Sequence, residues 1–169
     1  MEANARRAFA VLRTAIFTVV PYVVGIWLPV RVHWAYTLPT DTSASRLFDV
    51  ILGLVFLIGG IALYCWCAWD FAVKGFGSPA PIDAPRTLVV AGPYRHVRNP
   101  MYLAVLIVIA SQAISWRSFP TLIYLVFIAC WFELFVIVYE EPHLRRVFGT
   151  QYENYSRSVN RWLPRLSAK

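Results

Sequence analysis

The sequence predicts an all-α fold, an integral membrane helical bundle of about four transmembrane helices with a cytoplasmic C-terminal interfacial helix. Three observations carry that expectation. Of the 169 residues, 59% are hydrophobic and only 15% charged, where soluble domains run at about 45–50% and about 25%. The charges are kept out of long runs: 14–30, 50–69 and 99–116 hold none, and 118–139 holds only Glu133. The 16 Lys and Arg outnumber the 9 Asp and Glu, for a formal charge of +7, and they crowd one set of connections. Such hydrophobicity excludes a disordered chain, and 3 cysteines exclude a disulfide-rich secreted scaffold.

The first predicted span, 14–30, contains Pro21 and Pro29, which a membrane helix tolerates when neighbours satisfy the freed backbone groups. Arg6, Arg7 and Arg13 precede it as they would a signal peptide. No small-residue cleavage site follows, and the run is long for an apolar signal core, so it is read as a span. The second, 47–69, is apolar on every side from 50 to 69, unlike a soluble core helix with one apolar face. The third, 100–116, is short, and 118–139 is the fourth. Trp27, Trp34, Tyr36, Tyr64, Trp66, Trp69 and Trp116 gather towards the ends, where amphipathic rings settle at headgroup level.

With this topology the N-terminus, the loop after the second span and the C-terminal tail share one side. That side holds thirteen basic residues: Arg6, Arg7, Arg13, Lys74, Arg86, Arg95, Arg98, Arg145, Arg146, Arg157, Arg161, Arg165 and Lys169. Arg31, Arg46 and Arg117 are the three on the other. The bias places both termini in the cytoplasm. Orientation and anionic lipid account for the positive charge, and no nucleic-acid partner is needed.

The loop 74–100 is dense in Gly and Pro, which give turns and extended pieces rather than helix, and loops of such length are usually functional. The tail 141–169 has helix-compatible spacing. With no internal repeat, 1–169 is read as one domain. Three stretches carry possible chemistry: GPYRHVRNPMY at 92–102, Glu140-Glu141-Pro142, and FGxxYxxY at 148–155 with RWLP at 161–164. The topology puts all three on the cytoplasmic side.

These stretches, in this order, resemble the integral membrane methyltransferases typified by isoprenylcysteine carboxyl methyltransferase and the phospholipid methyltransferases. The resemblance covers roughly residues 86–164, while the first two spans contribute only hydrophobicity. It implies an enzyme that uses S-adenosylmethionine, with cofactor contacts at Arg86, Thr87, Leu88, Val89, Tyr94, Asn99, Pro100, Met101, Tyr102 and the pair Glu140 and Glu141. Physical chemistry suits that set. A tyrosine face attracts a sulfonium, and a glutamate accepts from ribose hydroxyls or an ammonium. The Asn99-Pro100 step is expected to hold residue 99 extended, with its backbone groups open to a ligand. Pro100 begins the helix at no loss, since the first N–H groups are orphans.

Two further residues are candidate catalytic groups. Glu133 lies inside the last span, where an ionised carboxylate is unfavourable, seven residues before Glu140 and so on nearly the same helical face. It is either a pocket-facing group or an arginine-paired lock. His96 is either a base for an attacking thiol or amine or a loop residue facing headgroups. Cys65, Cys67 and Cys130 make a poor metal set, and no metal is expected. In the isoprenylcysteine branch an arginine one turn before the acidic pair is thought to hold the substrate carboxylate. Val136 stands there in this chain, and Asn99 replaces a histidine of that branch.

The expected activity is methyl transfer to a lipid-like or prenyl-cysteine-like acceptor, with a small thiol or a phospholipid amine as alternatives. A non-enzymatic partner-binding or transport subunit is the competing class. A transporter more often shows internal repeats.

Overall fold

Every regular element is helical among the residues that the computed structural model describes, 19–36, 45–74 and 88–164. One isolated parallel bridge joins Val97 to Asn160. In order, the helices are α1 (Val19–Ala35), α2 (Ser45–Lys74), α3 (Pro100–Trp116), α4 (Phe119–Phe135), α5 (Glu141–Phe148) and α6 (Thr150–Ser158). A short 3₁₀ turn, Gly92–Arg95, precedes α3.

Two helical stretches are long and apolar enough to cross a membrane, Arg46–Asp70 and Phe119–Phe148. Only 17% of each apolar window is buried, so their apolar faces are turned outward, as suits a helix in lipid rather than one inside a core. α1 and α3 are apolar and shorter.

The close pair at the centre is α2 with α3. A Cβ on Gly53 would stand 2.7 Å from the Ser111 carbonyl oxygen and 1.9 Å from Ser115 Oγ, and one on Gly60 would stand 2.8 Å from Val108 Cγ2. Small residues on this seam let the backbones approach, the usual basis of helix association where no solvent drives it. Gly59, next in sequence, meets nothing within 4 Å.

α1 is tied in by its irregular turn. Val23–Trp27 winds as a π-turn, with Leu28 N–H donating to the Val23 carbonyl. Pro29 has no N–H, so the carbonyls of Val24 and Gly25 lose the donor it would have supplied. Tyr124 Oη of α4 donates to Val24 O at 2.9 Å, and Gln112 Nε2 of α3 donates to Gly25 O at 2.6 Å. These two side chains satisfy the carbonyls that the proline frees.

The fourth apolar run does not stop near Pro142. It continues from α4 into α5 through a second π-turn, Val136–Glu140, closed by Glu141 N–H on the Val136 carbonyl. The wider turn lets helix pass a residue without an amide hydrogen. It also inserts one residue, which rotates everything after it.

Replacing Gly53 by Val is expected to overpack the α2–α3 seam and destabilise the protein by about 1–3 kcal/mol, whereas Gly59→Val leaves it unchanged. Thermal unfolding of both variants in one detergent checks this, and equal melting temperatures would contradict the seam.

Candidate active site

The loop leading into α3 is pinned from two sides. Leu88 packs on Tyr152, Tyr155 and Val159, and Val89 packs with Cys67 and Tyr94. Gly92 then turns the chain with φ +54, and a Cβ there would lie 2.0 Å from Asp70 Oδ2 and 2.9 Å from Trp66 Nε1. Only glycine meets both demands without strain. The end of α2 therefore abuts the 3₁₀ turn. Tyr94 is buried, in hydrogen-bond contact with Cys67, and burial pushes its hydroxyl well above the usual value. Tyr155, likewise raised by burial, donates its hydroxyl to the Tyr94 carbonyl at 2.7 Å.

After α6 the chain turns extended at Val159 and runs beside the loop as a strap, 159–164. Arg98 N–H donates to Asn160 O at 2.9 Å and Asn99 N–H to Arg161 O at 3.3 Å. Charges secure the strap. Glu141, 7% exposed, takes Arg98 Nη1 at 3.0 Å and Arg161 Nε at 2.8 Å on Oε1, with Arg145 Nη2 at 3.8 Å from Oε2. Arg161 Nη1 also reaches Glu133 Oε1 at 2.6 Å, and Arg98 Nη1 donates to Tyr152 Oη at 3.3 Å. The hydrogen bond to Glu141, against some desolvation, holds the Arg161 guanidinium above its ordinary value.

The π-turn changes which carboxylates share a face. Glu140 was expected beside Glu133, but one guanidinium joins Glu133 to Glu141 instead. With the inserted residue, two turns take about eight residues rather than about seven. Glu140 is thereby aimed at α3, where Tyr102 Oη donates to its Oε2 at 2.7 Å. Its other oxygen accepts nothing from the described residues. Around this pair stand the rings of Phe132, 4.7 Å from that of Tyr102, and Trp162, 6.5 Å away and inclined at 60°. Trp162 Nε1 donates to Glu133 Oε2. Of the two readings of Glu133, the arginine-paired one describes its contacts.

The other expected residues fall as follows. Arg86 and Thr87 lie outside the described residues. Pro100 is buried as the first residue of α3, and Met101 packs on the Cys67–Val89–Tyr94 cluster. His96 is exposed at the end of the 3₁₀ turn. Asn99 departs from expectation. Its ψ of 53 is not extended, and its backbone is not open, because the strap takes its N–H and Leu103 N–H takes its carbonyl at 3.2 Å. Its side-chain Nδ2 is what the fold leaves without a hydrogen-bond partner.

Arg98, Phe132 and Asp70 were not singled out from sequence. Arg98 was given no role beyond an orientation charge, although it lies within the 92–102 stretch, and Phe132 was read only as apolar. The assembly offers a carboxylate with an open oxygen, aromatic faces and a buried amide at one helix start, a set suited to a polar ligand carrying positive charge.

A family model described as phospholipid methyltransferase matches residues 48–151. That stretch takes in α2, which showed no motif in sequence, together with the loop, α3, α4 and the acidic pair, and it stops before the strap. No curated protein and no solved structure matches the chain.

Glu141→Ala is expected to lower stability by about 2–4 kcal/mol, since it strands the guanidinium of Arg98, whose side chain is 12% exposed. A double-mutant cycle with Arg98→Met should return coupling of about 1 kcal/mol or more. Additive losses would show the pair to be incidental.

Proposed function

The chain belongs to the phospholipid methyltransferase family, and we propose that it moves a methyl group from S-adenosylmethionine to an acceptor held in the bilayer. The observation that carries this reading is the Tyr102–Glu140 pair, with one carboxylate oxygen held at 2.7 Å and the other without a partner among the described residues, walled by Phe132 and Trp162. In this reading α1 and α3 cross the membrane with α2 and α4. The 17 residues of α3 reach about 26 Å, and local thinning covers the remainder of a core about 30 Å thick. The excess of basic residues at the loop, the acidic pair and the tail sets both termini and the site in the cytoplasm.

The residues present fit the cofactor. Glu140 offers an acceptor for a ribose hydroxyl or an ammonium, and the Tyr102 and Trp162 faces suit a sulfonium. When bound, the cofactor supplies an electrophilic methyl group. The chain supplies position. Glu141 and Glu133 hold the strap through Arg161, the strap holds Trp162 over the start of α3, and Tyr102 keeps Glu140 in one rotamer. Alignment of two reactants and exclusion of water are the main contributions available to such a site. Glu133, with its oxygens on Arg161 and Trp162, acts as a positioning residue.

The acceptor is a lipid-borne amine rather than a carboxylate. Val136, where a carboxylate-methylating relative carries arginine, is 1% exposed inside the bundle. The open group of the site is itself a carboxylate, which repels an anionic acceptor.

Titrating the purified protein with S-adenosylmethionine should raise its melting temperature with concentration. Glu140→Gln should weaken binding by at least about tenfold, or about 1.4 kcal/mol, with the ligand-free melting temperature little changed. A wild type that shows no shift at millimolar cofactor would overturn the enzyme reading and leave a binding subunit.

A further inference from the structure

A cavity of about 210 Å³ lies among α1, α2 and α3. Its deep wall is formed by Gly25, Ala104, Val105 and Val108, all buried. Its outer residues, Tyr22 and Ile26 of α1 and Ile61 of α2, are 53%, 38% and 45% exposed. The cavity therefore opens sideways between α1 and α2. Protein interiors are packed close to crystal density, and a void forfeits contacts along its whole lining. Helices in a bilayer have little besides such contacts to hold them together, so a gap of this size calls for an occupant.

The sequence makes the gap. Gly25 sits within the π-turn of α1 and has no side chain. A Cβ there would stand 3.5 Å from Val105 Cγ1 and 4.0 Å from Val108 Cγ1, which are ordinary contact distances. Neither crowding nor a positive φ requires glycine at this position. What glycine leaves is space. The Gly25 carbonyl accepts from Gln112 Nε2 at 2.6 Å, which holds α1 at its present spacing from α3.

The lining is mainly apolar, and an apolar cavity of about 150 Å³ stays dry yet takes up a hydrocarbon the size of benzene. In the spanning reading the mouth opens onto the hydrocarbon of the bilayer. The cavity also lies close to the candidate site. Val105 and Val108 are three and six residues beyond Tyr102, about 4.5 Å and about 9 Å further along the helix. Phe132, which walls the Tyr102–Glu140 pair, packs on the cluster that holds Val105 and Tyr64, and those two residues line the cavity.

Building on the methyltransferase reading, we infer that this cavity receives part of one hydrocarbon chain of the lipid acceptor, while the headgroup is presented at the Tyr102–Glu140 pair. α1, which the family match over 48–151 does not reach, supplies Gly25 and with it the width of the cavity. Gly25 is thereby a specificity-determining residue for the acceptor's chain.

Photolabelling of the full chain in nanodiscs tests this without relying on turnover. The probes are phosphatidylethanolamine and phosphatidylglycerol carrying the same mid-chain diazirine, with labelled residues read by mass spectrometry. Phosphatidylethanolamine should label the residues around Gly25, Ile61 and Val108, at least about threefold more than phosphatidylglycerol does. Gly25→Leu fills the space. It should cut that labelling about tenfold and raise the KM for phosphatidylethanolamine about as much, with the affinity for S-adenosylmethionine unchanged. Its ligand-free melting temperature should be no lower than that of wild type, as for other cavity-filling changes. Ile61→Trp narrows the mouth from an exposed position and should act in the same direction, and it decides the matter where Gly25→Leu does not fold.

Labelling elsewhere, or wild-type labelling in both variants, overturns the inference. Equal labelling by the two lipids also overturns it, making the cavity a seat for bulk lipid. A wild type whose melting temperature does not respond to S-adenosylmethionine overturns the methyltransferase reading itself, whereas a responsive wild type labelled outside the cavity overturns the chain site alone.

Discussion

Glu141 is the carboxylate on which the loop-and-strap end of the molecule depends. Its near-complete burial between Arg98, Arg161 and, at longer range, Arg145 joins three separate pieces of chain: the entry to α3, the helix that continues α4, and the strap. A buried ion pair is poor evidence of net stability, because desolvation offsets much of the attraction, but losing one partner strands a charge. The network therefore acts chiefly by specifying one arrangement. Arg161 shares itself between Glu141 and Glu133, which sets Trp162 near Tyr102. The clamp adds side-chain charge to the two backbone bonds that already lay the strap along the entry to α3.

The division of labour within the acidic pair follows from one extra residue. The π-turn at Val136–Glu140 sends Glu141 to the arginines and Glu140 to Tyr102. One of two adjacent carboxylates becomes architecture, and the other keeps an oxygen with no partner among the described residues. A regular helix would have left Glu140 facing Glu133 and weakened the separation between scaffold and site.

Much of the fold was legible because hydrophobicity and charge are summed over long windows. The uncharged runs marked the helices, and Pro29 announced that its carbonyls needed partners. The family was legible from the order of GPYRHVRNPMY, the acidic pair and RWLP. What was not legible depended on single hydrogen bonds between distant segments. Asn99 was expected to present its backbone, yet Asn160 and Arg161, about sixty residues on, occupy that edge of the loop, a pairing of the kind that no local pattern encodes. The helix runs on past Pro142 through a π-turn, which no local pattern in the sequence announces. Arg98 looked like one more orientation charge, since sequence cannot distinguish a cation facing lipid headgroups from one facing a buried carboxylate.

The proline in α1 bears on how the molecule is made. The two carbonyls it frees are capped by side chains 87 and 100 residues downstream, from Gln112 and Tyr124. When α1 first leaves the ribosome those partners have not been synthesised, and exposed carbonyls are unfavourable in hydrocarbon. α1 should therefore settle into its final packing only when α3 and α4 are present. The bundle is completed from its later helices backward.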